Sequence, residues 1–525
     1  MPLIPIAKYK QPRMSAAAQT AQLFTIPAPV GGLNYRDPIS QMDPTDALVL
    51  DNFIPTQTGA ELRKGWRYHT DTVSLPIRSV FAYNAADPEG SKLFASAGGN
   101  IYNVTTNPPT LAVSSAGDSD WYTTQFSNGS GNYLLAVSPG GGYWTYDGTT
   151  WVKRTVTGLP ANPTSVMVWK NRVWFTVQNS SKVYYLDTVD AITGTAVGFE
   201  MGSLLRNGGY IRGLINWTVD AGYAIDDYLV VVGSQGDIGV WQGTDPTSVS
   251  TFGLKGVWYI GPVPTHGKFF TSYGGDVMIV SELGLVPMSL LINGQFTDFR
   301  PGPAAKVQSV LSPLITKLRT ELSWDVIIVP SSNVLIIKLP QNVGVYQQFA
   351  MNVNTAAWCT FSNMPMECCT LLNGQLYFGT EDGRVAKGLY GDLDGVERLG
   401  TGGTAVQGDL QTAFNAFGSP AQLKKFGLAR PIFIAPEAPS VKLRVNTQYT
   451  FSNVAGSPSF VQSLEGRWDQ SNWNNARWVG AANTYQAWVG TTGLGYYAAL
   501  RMKVRGKPGT IFTSSHMMTE LGGVM

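Results

Sequence analysis

Histidine and cysteine are scarce in this sequence, three of each in 525 residues, and their scarcity closes several routes. His69, His266 and His516 lie far apart, with no HExxH and no Cys/His pair at ligand spacing. No local motif for a metal ion or a histidine base is present. Cys359, Cys368 and Cys369 form an odd-numbered group in one region. That is not a disulfide framework, and it points to a reducing compartment. Adjacent Cys368 and Cys369 lack CxxC spacing and read as small buried hydrophobes.

Charge is sparse as well. Asp, Glu, Lys and Arg make up 14% of the chain, against the usual ~25%. The balance of 37 basic to 35 acidic residues leaves +2, which favours neither tight nucleic-acid binding nor an acidic membrane surface. No stretch approaches the ~20 apolar residues of a membrane span. The N-terminal MPLIPIAKYKQPRMSAAAQT has positive charges but no apolar run behind them, so it does not read as a secretory signal. A cytosolic product without a membrane anchor is the expectation.

What the sequence has in abundance is turn and interface chemistry. The 58 glycines and 31 prolines are spread along the chain, which favours short strands joined by turns and an all-β protein. The 15 Trp and 23 Tyr exceed what one core needs, and such residues anchor assembly surfaces.

One unit recurs: an apolar strand, a Gly/Asn/Asp/Ser turn, and a second strand. Its copies begin at Ser91, Asn132, Asn171, Asp227, Asp276, Asn333 and Gly374. Successive starts are separated by about 40 to just under 60 residues, the spacing of four-stranded propeller blades with variable loops. In KLFASAGGNIYNV the pairs Leu93-Phe94 and Ile101-Tyr102 flank Ala97-Gly98-Gly99-Asn100, a turn for strands that need φ > 0 between them. The expectation is a β-propeller of six to eight blades over residues 76–400, each hairpin the inner pair of a blade; a tandem of irregular sandwiches is the alternative. Residues 1–22 read as an N-terminal arm. The flanks 23–75 and 401–525 lose the blade spacing and are expected to pack together as a second β-rich platform domain. One helical stretch is expected near Leu410 to Phe426, where Phe414 and Phe417 stand three apart.

GGLNYRDPISQMDPTDALVLDNFIPTQTGAELRKG, from Gly31 to Gly65, resembles the N-terminal segment of tail nozzle proteins of short-tailed bacteriophages. The matching pieces are GGLN, DP, A-x-x-LDN-F-x-P and LRKG. QTAFNAFGSPAQLKKFGLARPIF from Gln411, GRWDQSNWNNARW from Gly466, WVGTTGLGYYAALRMKV from Trp488 and the closing GG-V from Gly522 are similar to the same family. Together they cover about a quarter of the chain, and the inference is by analogy. The resemblance implies a structural virion protein: a homohexameric ring in the tail, assembled in the host cytoplasm. It implies an adaptor ring above, fibres or spikes outside, and genomic DNA passing through the bore. Asp51, Asn52 and Phe53 place self-bonding side chains before a rigid Pro55, which pins a sharp reversal. They either join two strands of a core or make a subunit contact. Trp468, Trp473 and Trp478, five residues apart, alternate faces on a strand and suit core or subunit-interface packing.

Signals for chemistry are weak, and no catalytic residue, metal ligand or cofactor site is expected. A propeller glycosidase or host-surface carbohydrate-binding component of a tail is the alternative. TYDGTTW (Thr145 to Trp151) is the nearest string to a sialidase box and reads as a hairpin turn ending in a packing Trp. Asp226, Asp227, Glu282 and Glu381 could supply an acid and a nucleophile only if the fold gathered them. Asp392-Leu393-Asp394-Gly395 lacks the ligand ladder of a calcium loop and reads as a polar turn. SPGGGYW precedes no helix and has no phosphate-loop lysine, so nucleotide binding is unsupported.

Overall fold

The computed structural model describes residues 21–220, 225–248, 250–292, 302–340, 347–460 and 482–524. Strands dominate them, with two α-helices, Met288–Ile292 and Gln308–Leu318, among the described residues. Four separate four-stranded antiparallel sheets follow in order: 79–113, 122–154, 163–200 and 211–259. A three-stranded sheet over 270–287 comes next. Two further four-strand runs sit inside larger sheets. One is formed by 325–362; the other joins Cys368–Leu372, Gln375–Gly379 and Val385–Lys387 to Arg67–Tyr68. The result is a β-propeller of six four-stranded blades with the three-stranded sheet between the fourth and the next.

All seven repeated hairpins form, but as the second and third strands of each unit. In the first blade the hairpin is Lys92–Ala97 and Asn100–Asn103, and Ser79–Tyr83 precedes it as the first strand. The first strands, not the hairpins, face the axis. One of them, Tyr122–Asn128, is mostly polar, with only Phe126 buried; others, such as Ser79–Tyr83 and Cys368–Leu372, are largely buried. The turn chemistry is as expected, with Gly98 at φ 56 and Gly99 at φ 76, a conformation that costs other residues.

Blade packing explains the continuous apolar runs. Val80, Leu93 and Ala95 of the first blade pack with Cys368, Leu372 and Val385 of the last. Phe81 and Phe94 face the other way, against Trp121, Leu134 and Tyr146 of the second blade. A strand buried on both faces has no polar side to show. The circle closes because Arg67 and Tyr68 pair with Lys387 and Ala386 as outer strand of the last blade. This piece of the N-terminal flank belongs to the propeller by its hydrogen bonds.

The two flanks do build a β-rich platform together. Its eight-stranded sheet centres on Ile511–Val524, paired with Gln422–Ala435 on one side and with Ala21–Pro27 and Ala60–Leu62 elsewhere along its length. A second set of platform strands continues a blade: Trp358–Ser362 pairs in parallel with Asp46–Asp51, followed by Gln407–Thr412, Ala498–Arg505 and Ser440–Thr447. One nine-stranded sheet therefore runs from propeller into platform.

The helix expected near 410–426 does not form. Gln407–Thr412 is a strand, and Gln422–Ala435 is a strand of 14 residues. Phe414 packs against Tyr449 and Phe451, while Phe417 packs against Phe24 and Phe426. The two rings serve different clusters instead of one helix face, and Phe417 sits at φ 46. Residues 429, 431, 433 and 435 are buried in alternation, so a period of two overrides the local spacing.

All three cysteines are free and buried. Burial pushes the Cys368 thiol up to about 12 and those of Cys359 and Cys369 well above the ordinary thiol range. We expect a thiol reagent such as DTNB to label none of them in the native chain at pH 8 and all three after denaturation. Rapid labelling of the folded protein would contradict this packing.

Candidate functional site

Asp51, Asn52 and Phe53 lie where platform and propeller meet. After the strand Asp46–Asp51 the chain reverses at Asn52, φ 58, a left-handed conformation that Asn tolerates. Its N–H donates to Thr360 O at 2.8 Å. Its side-chain amide donates to Gln407 O at 2.8 Å and to Ser362 Oγ at 3.0 Å. Asn52 Oδ1 accepts from the Ser362 N–H and from Arg63 Nε. Asp51 accepts from the hydroxyls of Thr360 and Ser362, and burial raises its carboxyl above the usual carboxylate range. Phe53 is fully buried, its ring against Gly408. These side chains are engaged within one chain, joining a blade's outer strand to the platform. Trp468, Trp473 and Trp478 lie outside the described residues.

Arg63 organises this join. It is 0% exposed, and each of its five N–H donors has an acceptor. Nε reaches Asn52 Oδ1 at 2.7 Å; Nη1 reaches Lys64 O and Asp394 Oδ1; Nη2 reaches Ser362 O and Asp394 Oδ2. The fork on Asp394 is bidentate, the geometry a guanidinium offers and an ammonium does not. Asp394, read from sequence as part of a polar turn, is thus the buried counter-ion of the LRKG arginine. Burial raises its carboxyl, and Arg63 works against that shift. Gly65 has its own reason: a Cβ there would lie 2.0 Å from Leu393 O. GGLN belongs to the same framework. Asn34 donates to Asp46 and Asp37, and Lys306 donates to Asp46 at 2.6 Å.

The other sequence candidates are dispersed. Asp147 caps its turn, accepting from Thr149 and Thr150 N–H groups that hold its carboxyl down to about 2. Trp151 packs on Phe81, Phe94 and Tyr146. Asp227 pairs with Lys170 and Glu282 with Arg319. Among the described residues no group of three His, Cys, Asp or Glu is placed to hold a metal ion.

A second feature escaped the sequence reading. On the face where the first strands begin, side chains from every unit surround an axial cavity of about 350 Å³. Its ionisable lining includes Arg78, Asp120, Arg212, His266, Lys268, Asp325 and Glu367. Arg212 is fixed over the Phe269 ring at 4.9 Å and donates to Pro264 O and Gly267 O. Burial raises the Asp120 carboxyl, against the pull of His266 and Arg212. Asp325 Oδ2 accepts from the Cys369 N–H at 2.9 Å, while its buried Oδ1 accepts from no protein donor. No local motif signals these residues, because they come from segments spread around the propeller, with His266 and Lys268 sharing one.

No protein-family model matches the chain, and no curated protein does. Among solved structures it is similar to the WD40 beta propeller domain of Doa1, with 11% identity, 62% of this chain and 96% of that one covered, and a TM-score of 0.38. It is also similar to the extracellular domain of the putative one-component system BT4673 from B. thetaiotaomicron, with 10% identity, 71% and 48% covered, and a TM-score of 0.40. A third is the computationally designed Ika8 protein, with 10% identity, 61% and 99% covered, and a TM-score of 0.34. The propeller assignment rests on this chain's own strand pairing.

Two outcomes test the join. Arg63→Ala leaves Asp394 buried without its partner and should cost about 3–5 kcal/mol in denaturant unfolding. Arg63→Lys, which keeps the charge but loses the fork, should recover only part of it. The second outcome is a pH dependence. A raised folded pKa means that Asp51's contribution is fully present below its unfolded value, ~3.9, and lost as pH rises through the folded value. Asp51→Asn should therefore gain stability relative to the parent between pH 4 and pH 7, measured by urea melts. A gain that shrinks with rising pH would refute the burial argument.

Proposed function

We propose that this chain is a structural virion protein, one of six copies in the nozzle ring of a short-tailed bacteriophage. The reading is supported by one coincidence: the residues that carry the resemblance, GGLN, LDN-F-x-P and LRKG, are those that weld the platform to the propeller. Asn34, Asn52, Phe53, Arg63 and Gly65 all lie at or beside that join. Such residues serve geometry, which is what a ring subunit needs when it must hold a bore open and present a docking face. In this role the chain performs no hydrolysis. The platform docks on the adaptor ring, and fibres or spikes attach outside.

The bore of such a ring lies between copies. The cavity on the axis of one propeller, about 350 Å³, has the volume of a small-molecule site and admits no duplex. DNA then slides between copies of a chain whose overall charge is close to balance, +2. A strongly basic wall would hold DNA through counterion release instead of letting it pass.

Mass spectrometry of purified virions should give six copies per particle, and cryo-microscopy of the tail should place them as one ring. One or three copies per tail would overturn the reading. A salt titration of the isolated chain with duplex DNA should show only weak binding at physiological salt, and sub-micromolar sequence-independent binding would rule out a passive conduit.

A further inference from the structure

The axial cavity combines features that a filled structural core does not. Its acidic lining, Asp120, Asp325 and Glu367, is matched in number by Arg78, Arg212 and Lys268, so no net field selects an ion of either sign. Several polar groups retain open bonding capacity. Among the described residues no side chain donates to Asp120, and Arg212 uses Nε and Nη2 on carbonyls. Both are held in place: Asp120 lies in the turn capped by Asp118, and Arg212 is clamped over Phe269.

We propose that this cavity is a binding site for an uncharged polyhydroxy ligand, a mono- or disaccharide. A hydroxyl group both donates and accepts, so one ligand can donate to Asp120 while accepting from Arg212 or Lys268. Bonds to ionised partners are shorter and stronger than neutral ones. A lone cation or anion would leave half of the lining unmatched. Two aromatic side chains also line the cavity: Trp121, held by its Nε1 donating to Asp118 O, and Tyr210. A pyranose presents C–H faces to such rings and hydroxyl edges to the charged groups. The volume suits one or two sugar rings, at the lower end of small-molecule sites. This inference goes beyond the ring proposed above and does not depend on it, because every residue involved belongs to one propeller.

The test uses the purified full-length chain and a panel of free probes: glucose, galactose, N-acetylglucosamine, maltose and lactose. Saturation-transfer NMR and calorimetry detect binding, and a crystal soak locates it. We expect at least one sugar to bind in the axial cavity, and Asp120→Asn, at a side chain to which no described side chain donates, to weaken it by about tenfold or more, the loss of one charge-assisted hydrogen bond. Lys268→Met, which takes a donor from the same lining, provides the second variant and should weaken the same sugar comparably. Phosphate, glycine and spermidine serve as charged probes. Failure of every sugar to bind at ~10 mM, binding unchanged in both variants, or preferential binding of a charged probe would each overturn the proposal. Copy number in virions does not enter any of these readouts.

Discussion

A buried guanidinium has five donors to satisfy, and Arg63 meets that requirement with acceptors from four separate parts of the chain. Its own neighbour Lys64, the reversal at Asn52, the outer strand of the 325–362 blade at Ser362 and the segment beyond the last blade at Asp394 all converge on it. Removing any one acceptor would strand a donor in a site with no exposure to water. The strand order around it follows from the same constraint. Asn52 must sit beside Ser362, which brings Asp46–Asp51 alongside Trp358–Ser362. Gly65 must lie on Leu393, which delivers Arg67 and Tyr68 to the open edge of the last blade.

Closure of the propeller and attachment of the platform are therefore one event. The strand that seals the circle leaves directly from the cluster that anchors the platform. The sheet that begins as a blade ends as platform without an intervening linker. The core reflects this: a single hydrophobic cluster includes Phe53, Leu62 and Phe512 as well as Val326, Ile336 and Phe378. A propeller built this way has little freedom to rock against its platform, a useful property in a subunit whose proposed task is to hold geometry.

Much of the fold was legible because blade hairpins are buried on both faces and joined by glycine-rich turns; Lys92–Ala97 and Asn100–Asn103 around Gly98-Gly99 show both signals within a dozen residues. The first strand of the second blade was not, since Tyr122–Asn128 is mostly polar and offers no apolar run. Asp120, Arg212 and Asp325 went unnoticed because they come from segments spread around the propeller. The helix Gln308–Leu318 was hidden by Pro313 in its interior. Arg63 and Asp394 are 331 residues apart, and neither has a local pattern that announces the other. Asn52, by contrast, announced a pinned reversal through its chemistry, although not the strand it would pin against.

The central claim is that propeller and platform are one cooperative body, locked at Arg63. Differential scanning calorimetry of the intact chain tests it most directly when read alongside hydrogen exchange resolved along the sequence. The account predicts a single transition, with amides of the platform strand Gln407–Thr412 and of the blade strand Trp358–Ser362 losing protection together. Two well-separated transitions, with the platform melting while the blades stay protected, would contradict it.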